Sequence, residues 1–519
     1  MRHRCALFVL GALACAGGPP PPAPPVPLRA LAGEISADEL RRDLFAFAAD
    51  SMRGRETGTA DAERAARFLV QRLQALGLEP GGDSLFLQRV PLERESIDTT
   101  SRFTVIDGTR TTELRAGVDI APLINLGAGV PPTKLRADGE IVFAGYGVAL
   151  SRPKRDDLSG LDLAGKVVVV VNGAPAGVDS ATRATLESPA AISDRLARIL
   201  PYRPAAIVVL LVGDAPGMFE QVVQQFQRSV VPRSTHAMVS EEDRPLPMIM
   251  LGMATRGSPL VPARWPSDDR PQQHTGRTLS ARADQQRAPF SAYNVIAVLR
   301  GSDPTLRSTY VALGAHYDHI GIVKSVDGDS IANGADDDGS GSVGLLSIAR
   351  ALAQAETKPR RSTLFVWHVG EEQGLLGSAY FVDHPTVPID SIVAQLTVDM
   401  IGRNAPALLY TVGPRAAPNR QSRRLGAIVD SVNALQPEPF GINRTLDVWN
   451  HPEHVYERSD HFNYARKGIP IVFFTTGDHA DYHAPSDEAG KIDYGKLARV
   501  ARLLRDVALA VANSSARPR

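Results

Sequence analysis

The chain has 519 residues, too long for one ordinary domain and enough for two or three. Apolar residues make up 43%, so a large core is available and extended disorder is not expected over most of the length. Lys plus Arg and Asp plus Glu both number 57, and a formal charge of zero argues against a nucleic-acid-binding surface as the main function.

The chain opens on an export-signal layout over residues 1–18: Arg2, His3 and Arg4 are followed by an apolar run from Cys5 to Ala14. That run is too short to span a bilayer as a stable helix. Gly11-Ala-Leu-Ala-Cys15 resembles the lipobox of bacterial lipoproteins, with Leu13 one position nearer the Cys than the commonest pattern. The expectation is an exported protein, in the cell envelope (lipid-anchored or periplasmic) or secreted, which touches a membrane only through that anchor. Residues 19–33 form a Pro-rich linker whose extended polyproline II preference suits a semi-rigid tether. Both cysteines, Cys5 and Cys15, lie in or beside the signal, so no disulfide is expected in the body. No later stretch approaches 18 uninterrupted apolar residues, and no transmembrane helix is expected.

Ser36-Ala-Asp-Glu39 has the capping-box pattern and predicts a helix to about Ala49. Asp61 to Leu76 carries apolar residues at helical spacing and ends at Gly77, with Arg53 to Gly58 a loop between the two helices. Residues 100–287 change texture. Short β-rich runs at 140–144, 166–171 and 205–213 are separated by Gly, Pro and Asp turns, which predicts a separate, mostly β insert. The Pro-, Arg-, Gln- and Ser-rich stretch 257–289 reads as loop or a domain edge.

From Ala292 strands and helices alternate. Strands are predicted at 294–299, 309–313, 363–369, 392–398 and 469–474, and helices at 341–356, 419–434 and 494–512. This predicts an α/β fold, a mixed and mostly parallel central sheet flanked by helices. The acidic and histidine residues fall just after these strands, where open α/β sheets place their sites.

His316-Tyr-Asp318 alone is weak, since a histidine beside a carboxylate in a turn is more often structural; in a metal site Asp318 would orient the His316 ring. Asp336-Asp337-Asp338 in a Gly-rich loop would repel unless solvent or a cation relieved it, and a solvated acidic turn is the plain alternative. Glu371-Glu372 and Asp399 end apolar strands, where a buried carboxylate needs a partner; that each strand simply ends at the surface is the plain alternative. His483 has Asp487 four residues on, placed to hold its ring. Together these residues supply the imidazoles and carboxylates that a pair of divalent metals takes, and the adjacent glutamates offer one ligand and one general base for metal-assisted hydrolysis.

Gly314-Ala-His316-Tyr-Asp318-His-Ile-Gly321, Asn333 to Gly341, Arg458-Ser-Asp-His-Phe462, Lys467-Gly-Ile-Pro470 and Asp481-Tyr-His483 resemble, in order and wording, the co-catalytic zinc aminopeptidases of the aminopeptidase Y type, relatives of glutamate carboxypeptidase. The resemblance is loose over 36–95 and close over 290–512. It implies that Asp337 bridges two Zn2+ ions (Co2+ or Mn2+ being alternatives), that His316 and Asp399 complete one and Glu372 and His483 the other, that Glu371 is the general base, and that Tyr482 polarises the scissile carbonyl of a peptide substrate. Asp318 and Asp487 would stand behind these ligands. The implied organisation is 34–99 as the first part of the peptidase domain, 100–287 as an insert resembling a protease-associated domain on Gly145-Tyr-Gly147 and Leu163 to Val169, and 288–514 as the catalytic part. Carboxypeptidase or dipeptidase activity, with Arg403 and Arg444 as candidate carboxylate binders, and a non-catalytic receptor-like protein are the competing readings. Oligomeric state, side-chain preference and physiological substrate are left open.

Overall fold

The computed structural model describes residues 34–97, 100–123, 134–188, 190–212, 219, 230–233, 247–267, 269–415, 421–449, 451 and 453–518. The signal and linker at 1–33, with both cysteines, lie outside them. Two compact units divide the described residues: Leu92–Pro289, and the residues up to Pro91 together with those from Phe290 on.

In the second unit the sheet runs, edge to edge, Glu79–Pro80, the end of Arg277–Leu299, Ser362–His368, Tyr310–His316, Ile392–Val398, Ile471–Thr475, Leu408–Val412 and Gly441–Asn443. Its four middle strands are parallel, with Tyr310 opposite Ser362 and Ile392, and Gln395 opposite Ile471. The flanking pairings, Val295 with Trp367 and Tyr410 with Thr475, are antiparallel. All four middle strands are buried along their whole length, which explains their unbroken apolar runs.

Alternation along Ser362–His368 shows the two layers. Leu364 and Val366 pack with Phe381 and Tyr464, from the helices Leu376–Asp383 and His461–Arg466. Trp367 points the other way and donates its Nε1–H to Ser342 O (3.0 Å) in the helix Gly341–Gln354. That helix packs against the long helix Tyr494–Asn513, whose Leu497, Val500, Ala501, Leu504, Val507, Ala508 and Val511 form one buried stripe. The Asp493 side chain caps it by accepting from Lys496 N. At about 1.5–3 kcal/mol per fully buried aliphatic side chain, these two layers hold the strand ends in place.

The Leu92–Pro289 unit has parallel strands Val167–Asn172, Ala206–Leu211 and Met248–Met253, with Ile141–Phe143 parallel beside the first. An antiparallel group pairs Arg102–Asp107 with Arg110–Leu114 and with the start of Arg277–Leu299. Two helices, Ser180–Glu187 and Ala190–Ile199, accompany them.

Two local expectations are corrected. Ser36 precedes the helix Ala37–Phe47 but makes no side-chain cap bond. The stretch 257–289, expected as loop or a domain edge, contains the first part of the 23-residue strand Arg277–Leu299. There Leu279, Ala281 and Ala283 are buried while Thr278 and Arg282 are exposed. The period is that of a strand, but two of its three inward positions are alanines, which carry little hydrophobic signal. Among the described residues no helix is long and apolar enough to cross a membrane.

Candidate metal centre

Each residue of the centre stands at or after the carboxyl end of a parallel strand. His316 ends Tyr310–His316, Glu371 and Glu372 follow Ser362–His368, Asp399 follows Ile392–Val398, and His483 lies in the loop after Ile471–Thr475. The loop 335–340 brings the aspartate run to the same point.

The three aspartates divide the work. All are buried, which excludes a solvated acidic turn. Asp338 is a clamp: Oδ2 accepts from His316 N (3.1 Å), and Oδ1 accepts from Gly341 N (2.9 Å) and Met400 N (3.3 Å). It therefore ties together the main chain at His316, at Met400 next to Asp399, and at the start of a helix. Gly341 leaves room for it, since a Cβ there would meet Asp338 Oδ1 at 2.2 Å. Asp336 accepts from Gly402 N (2.7 Å) through Oδ1. Its Oδ2 faces His479 Nε2 at 3.3 Å, whereas Asp337 turns its carboxylate to His316 and His483.

Asp337 Oδ1 lies 3.3 Å from His316 Nε2, which is also 3.5 Å from Asp399 Oδ1 and 3.9 Å from Glu371 Oε2. Asp337 Oδ2 lies 3.2 Å from His483 Nε2, itself 3.0 Å from Glu372 Oε2. One carboxylate thus separates two clusters of ligand type, His316 with Glu371 and Asp399, and His319 with Asp337, Glu372 and His483, the donor atoms within each cluster lying within 4.8 Å of one another. His316 Nε2, Asp337 Oδ2, Asp399 Oδ1 and His483 Nε2 are buried without a hydrogen bond of good geometry. Buried polar atoms need partners, and imidazole with carboxylate suits divalent cations of the zinc kind, so these residues fit such ions.

The electrostatics follow from crowding. Burial raises the Glu371 carboxyl well above its usual range, and Asp399 and Glu372 add to this against His316. For Asp337 burial works upward too, but the His316 and His483 rings outweigh it and hold the group well below the usual range. His483 is raised to about 10, because Glu372 and Asp337 overcome the burial that would lower it. Its side chain is 24% exposed against 1% for His316, so the His483 side is the open one.

The residues behind the centre hold main chain more than rings. His316 Nδ1 faces the Asp318 carbonyl at 3.1 Å, whereas the Asp318 carboxylate is 3.9 Å away. That carboxylate accepts instead from Thr57 Oγ1 (2.8 Å) and Glu371 N (3.2 Å). Asp487 makes no bond to the His483 ring among the described contacts; it accepts from Asp336 N and Asp337 N at 2.9–3.1 Å. Main-chain N–H groups in a Gly-rich turn are a denser set of donors than one imidazole, and they take the carboxylates first. Tyr482 stacks on His483 (4.0 Å, 23°) and its hydroxyl oxygen accepts from Arg458 Nη2 at 3.3 Å. Arg403 and Arg444 are engaged by Asp481 and Asp430.

Two residues escaped the motif reading. His319 is fully buried with Nδ1 2.7 Å from Glu372 Oε1. Its signal was present, three residues after His316 in the same quoted phrase. Arg55, fully buried in what was read as a loop, donates to the carbonyls of Tyr317 (2.8 Å), Asn333 (2.7 Å), Gly334 (2.8 Å) and Phe47 (3.3 Å). It thereby fastens the chain on either side of the ligands, and no sequence pattern announces it.

Residues 294–508 match peptidase family M28. A probable leucine aminopeptidase 2 of Aspergillus oryzae is 32% identical over 195 residues, 37% of this chain and 35% of that protein. Leupeptin-inactivating enzyme 1 of Streptomyces exfoliatus is 29% identical over 203 residues, 39% of each chain. The chain thus spans between about a third and three-fifths of the length of such curated relatives. An aminopeptidase from Aneurinibacillus sp. strain AM-1 shares the fold with a TM-score of 0.55 at 18% identity, over 92% of this chain and 94% of its own. A zinc aminopeptidase from Bacillus subtilis does so with a TM-score of 0.53 at 15% identity, over 93% and 97%. The family match thus falls on residues 294–508, the same strands that carry the two clusters either side of Asp337, and over that stretch the chain is similar to peptidase family M28.

Proposed function

We propose that this chain is an exported aminopeptidase that removes N-terminal residues from peptides and holds two zinc ions, one on each side of Asp337. A single observation carries the reading: Asp337 alone reaches both histidine clusters, Oδ1 toward His316 and Oδ2 toward His483. On this reading His316 and Asp399 complete one ion's ligands, and Glu372 and His483 the other's. When bound, such ions polarise a carbonyl and lower the pKa of water, so that a nucleophile exists near neutral pH.

Glu371 is the general base. Its main chain is anchored by the N–H bond to Asp318, and its carboxyl is buried and raised, so it takes a proton from water and returns it to the leaving nitrogen. Tyr482 keeps its proton, because burial and the nearby Asp337 and Glu372 push the phenol up. With its oxygen accepting from Arg458, that O–H is left to donate to the carbonyl oxygen as charge develops there. The names of the relatives and fold neighbours, leucine aminopeptidase and zinc aminopeptidase, support removal of N-terminal residues. The acidic partners already held by Arg403 and Arg444 weigh against a carboxypeptidase built on them. A full set of ligand types weighs against a non-catalytic receptor-like protein. The Leu92–Pro289 unit we take as protease-associated-like, and residues 1–33 as the export signal, with or without a lipid anchor, and tether.

Glu371→Gln is expected to lower kcat by about 10²–10⁴-fold with metal content unchanged. The wild type is expected to bind two zinc per chain and to cleave unblocked aminoacyl-anilides but neither N-blocked anilides nor peptides through a free C-terminal glutamate. A Glu371→Gln enzyme of near wild-type rate would remove Glu371 from this role. Cleavage only of peptides with a free C-terminus would move the assignment to carboxypeptidase.

A further inference from the structure

His319 has no part in the reaction as described, yet it is fitted into the centre more closely than some of the ligands. It is fully buried. Its Nδ1 is 2.7 Å from Glu372 Oε1 and 3.7 Å from Asp337 Oδ2. The ring meets His483 edge-on, with centroids 5.6 Å apart at 70°. Its slot is made by Gly334, at φ +55°, where a Cβ would lie 2.5 Å from the ring atoms Cγ and Cδ2. The main chain around that slot is fixed from below. His319 N donates to Arg55 O (3.3 Å), and Arg55 Nη2 donates to Gly334 O (2.8 Å). A ring packed this way has little freedom to turn.

Glu372 therefore has its two oxygens in different employment. Oε1 faces His319 Nδ1, and Oε2 faces His483 Nε2 at 3.0 Å. Among the described residues no second imidazole does the same for the carboxylates on the other side, where Glu371 and Asp399 cluster with His316. We propose that His319 is a positioning residue: its Nδ1–H holds Glu372 Oε1, so that Oε2 is the single oxygen Glu372 presents to the ion on the His483 side, and that ion's affinity is set apart from its neighbour's. The proposal rests on the two-ion reading above. Outer partners of metal-binding carboxylates and imidazoles commonly contribute about 10–100-fold in metal affinity.

The test is zinc binding by chelator-stripped protein, titrated against a competing chromogenic chelator, with activity as a secondary readout. His319→Ala is expected to weaken the second ion by about 10–100-fold and leave the first unchanged. Asparagine places an amide N–H where Nδ1 stands, whereas glutamine places it near Nε2. His319→Asn is therefore expected to recover most of the lost affinity, and His319→Gln little. Wild-type affinity for both ions in His319→Ala overturns the proposal. So does a His319→Asn variant as weak as the alanine variant, which would make the ring a ligand rather than a holder of one. If the alanine variant does not fold, the asparagine and glutamine pair carries the same comparison. A wild type that takes up no second ion overturns the two-ion reading and the proposal together, and this control distinguishes that case from failure of the proposal alone.

Discussion

His461 gives a stability prediction whose size can be worked out. The side chain is fully buried, stacked on Phe473 (4.6 Å, 15°) and edge-on to Tyr456 (5.9 Å, 81°). Burial pushes the imidazole down to about 4, against the Tyr456 main chain and the Asp460 carboxylate, which pull the other way. An unfolded histidine titrates near 6.5, so as pH falls from 6.5 to 4 the unfolded chain takes up a proton that the folded chain refuses. Stability from this group is thus fully present above 6.5 and lost on acidification through that window. With those two values the loss is about 0.2 kcal/mol at pH 7, about 2 at pH 5 and about 3 below pH 4. His461→Phe keeps the stacking and removes the titration; any overpacking cost is the same at both pH values. Unfolding of both proteins, followed by urea titration in one zinc-containing buffer, should show the variant gaining about 2 kcal/mol on the wild type between pH 7 and pH 5. The many titrating carboxylates cancel in that difference. Parallel pH dependences for the two proteins would refute the reasoning.

Three further outcomes are expected. Asp338→Ala leaves His316 N, Gly341 N and Met400 N without their acceptor, at about 1–3 kcal/mol for each buried unpaired group, and should lower both the unfolding free energy and zinc content. Wild-type values in both measurements would contradict the clamp. Arg55→Met strands four carbonyls and should cost about 4 kcal/mol or more, read as loss of soluble protein or of thermal stability. Arg55→Lys should restore only part, because an ammonium cannot reproduce the guanidinium fork. Thr57→Val removes one of two bonds that hold the Asp318 carboxylate and should cost about 1 kcal/mol, seen as a roughly fivefold lower kcat at unchanged zinc content.

The centre could be read from the sequence because its residues sit where apolar runs stop. Val366 to Val369 cannot be followed by two glutamates inside a core unless something meets their charge, and the same holds for Asp399 after Leu396-Thr-Val. What could not be read is which donors the carboxylates find. Asp487 lies four residues from His483, yet it binds the main chain of Asp336 and Asp337, which is remote in sequence. Arg55 is another such case: its four acceptors include carbonyls more than 250 residues away, and the local sequence looks like any Gly- and Arg-containing turn. His319 lies three residues after His316, but a second histidine after one strand carries no signal of its own until the fold sets it beside Glu372.

Hydrogen bonding separates the acidic residues of this region that hold main chain from those that face imidazoles. Asp318, Asp338 and Asp487 each accept from two or three donors, nearly all of them backbone N–H groups. These bonds stabilise the buried groups and leave them nothing to offer a ligand. Asp337 Oδ2 and Asp399 Oδ1 have no such bond, and they lie beside imidazole nitrogens in the same condition. A buried polar atom without a partner costs about 1–3 kcal/mol, more when charged, and a cation between the Asp337 and Asp399 carboxylates and these imidazoles would relieve that cost. The saturated set fixes the backbone, Asp338 at His316 and Met400 and Asp318 at Glu371. The unsaturated set is thereby held face to face at close range. The run of three aspartates is therefore a frame on both sides of the candidate ligand Asp337, and substitutions at Asp336 or Asp338 should act on Asp337 by displacing it.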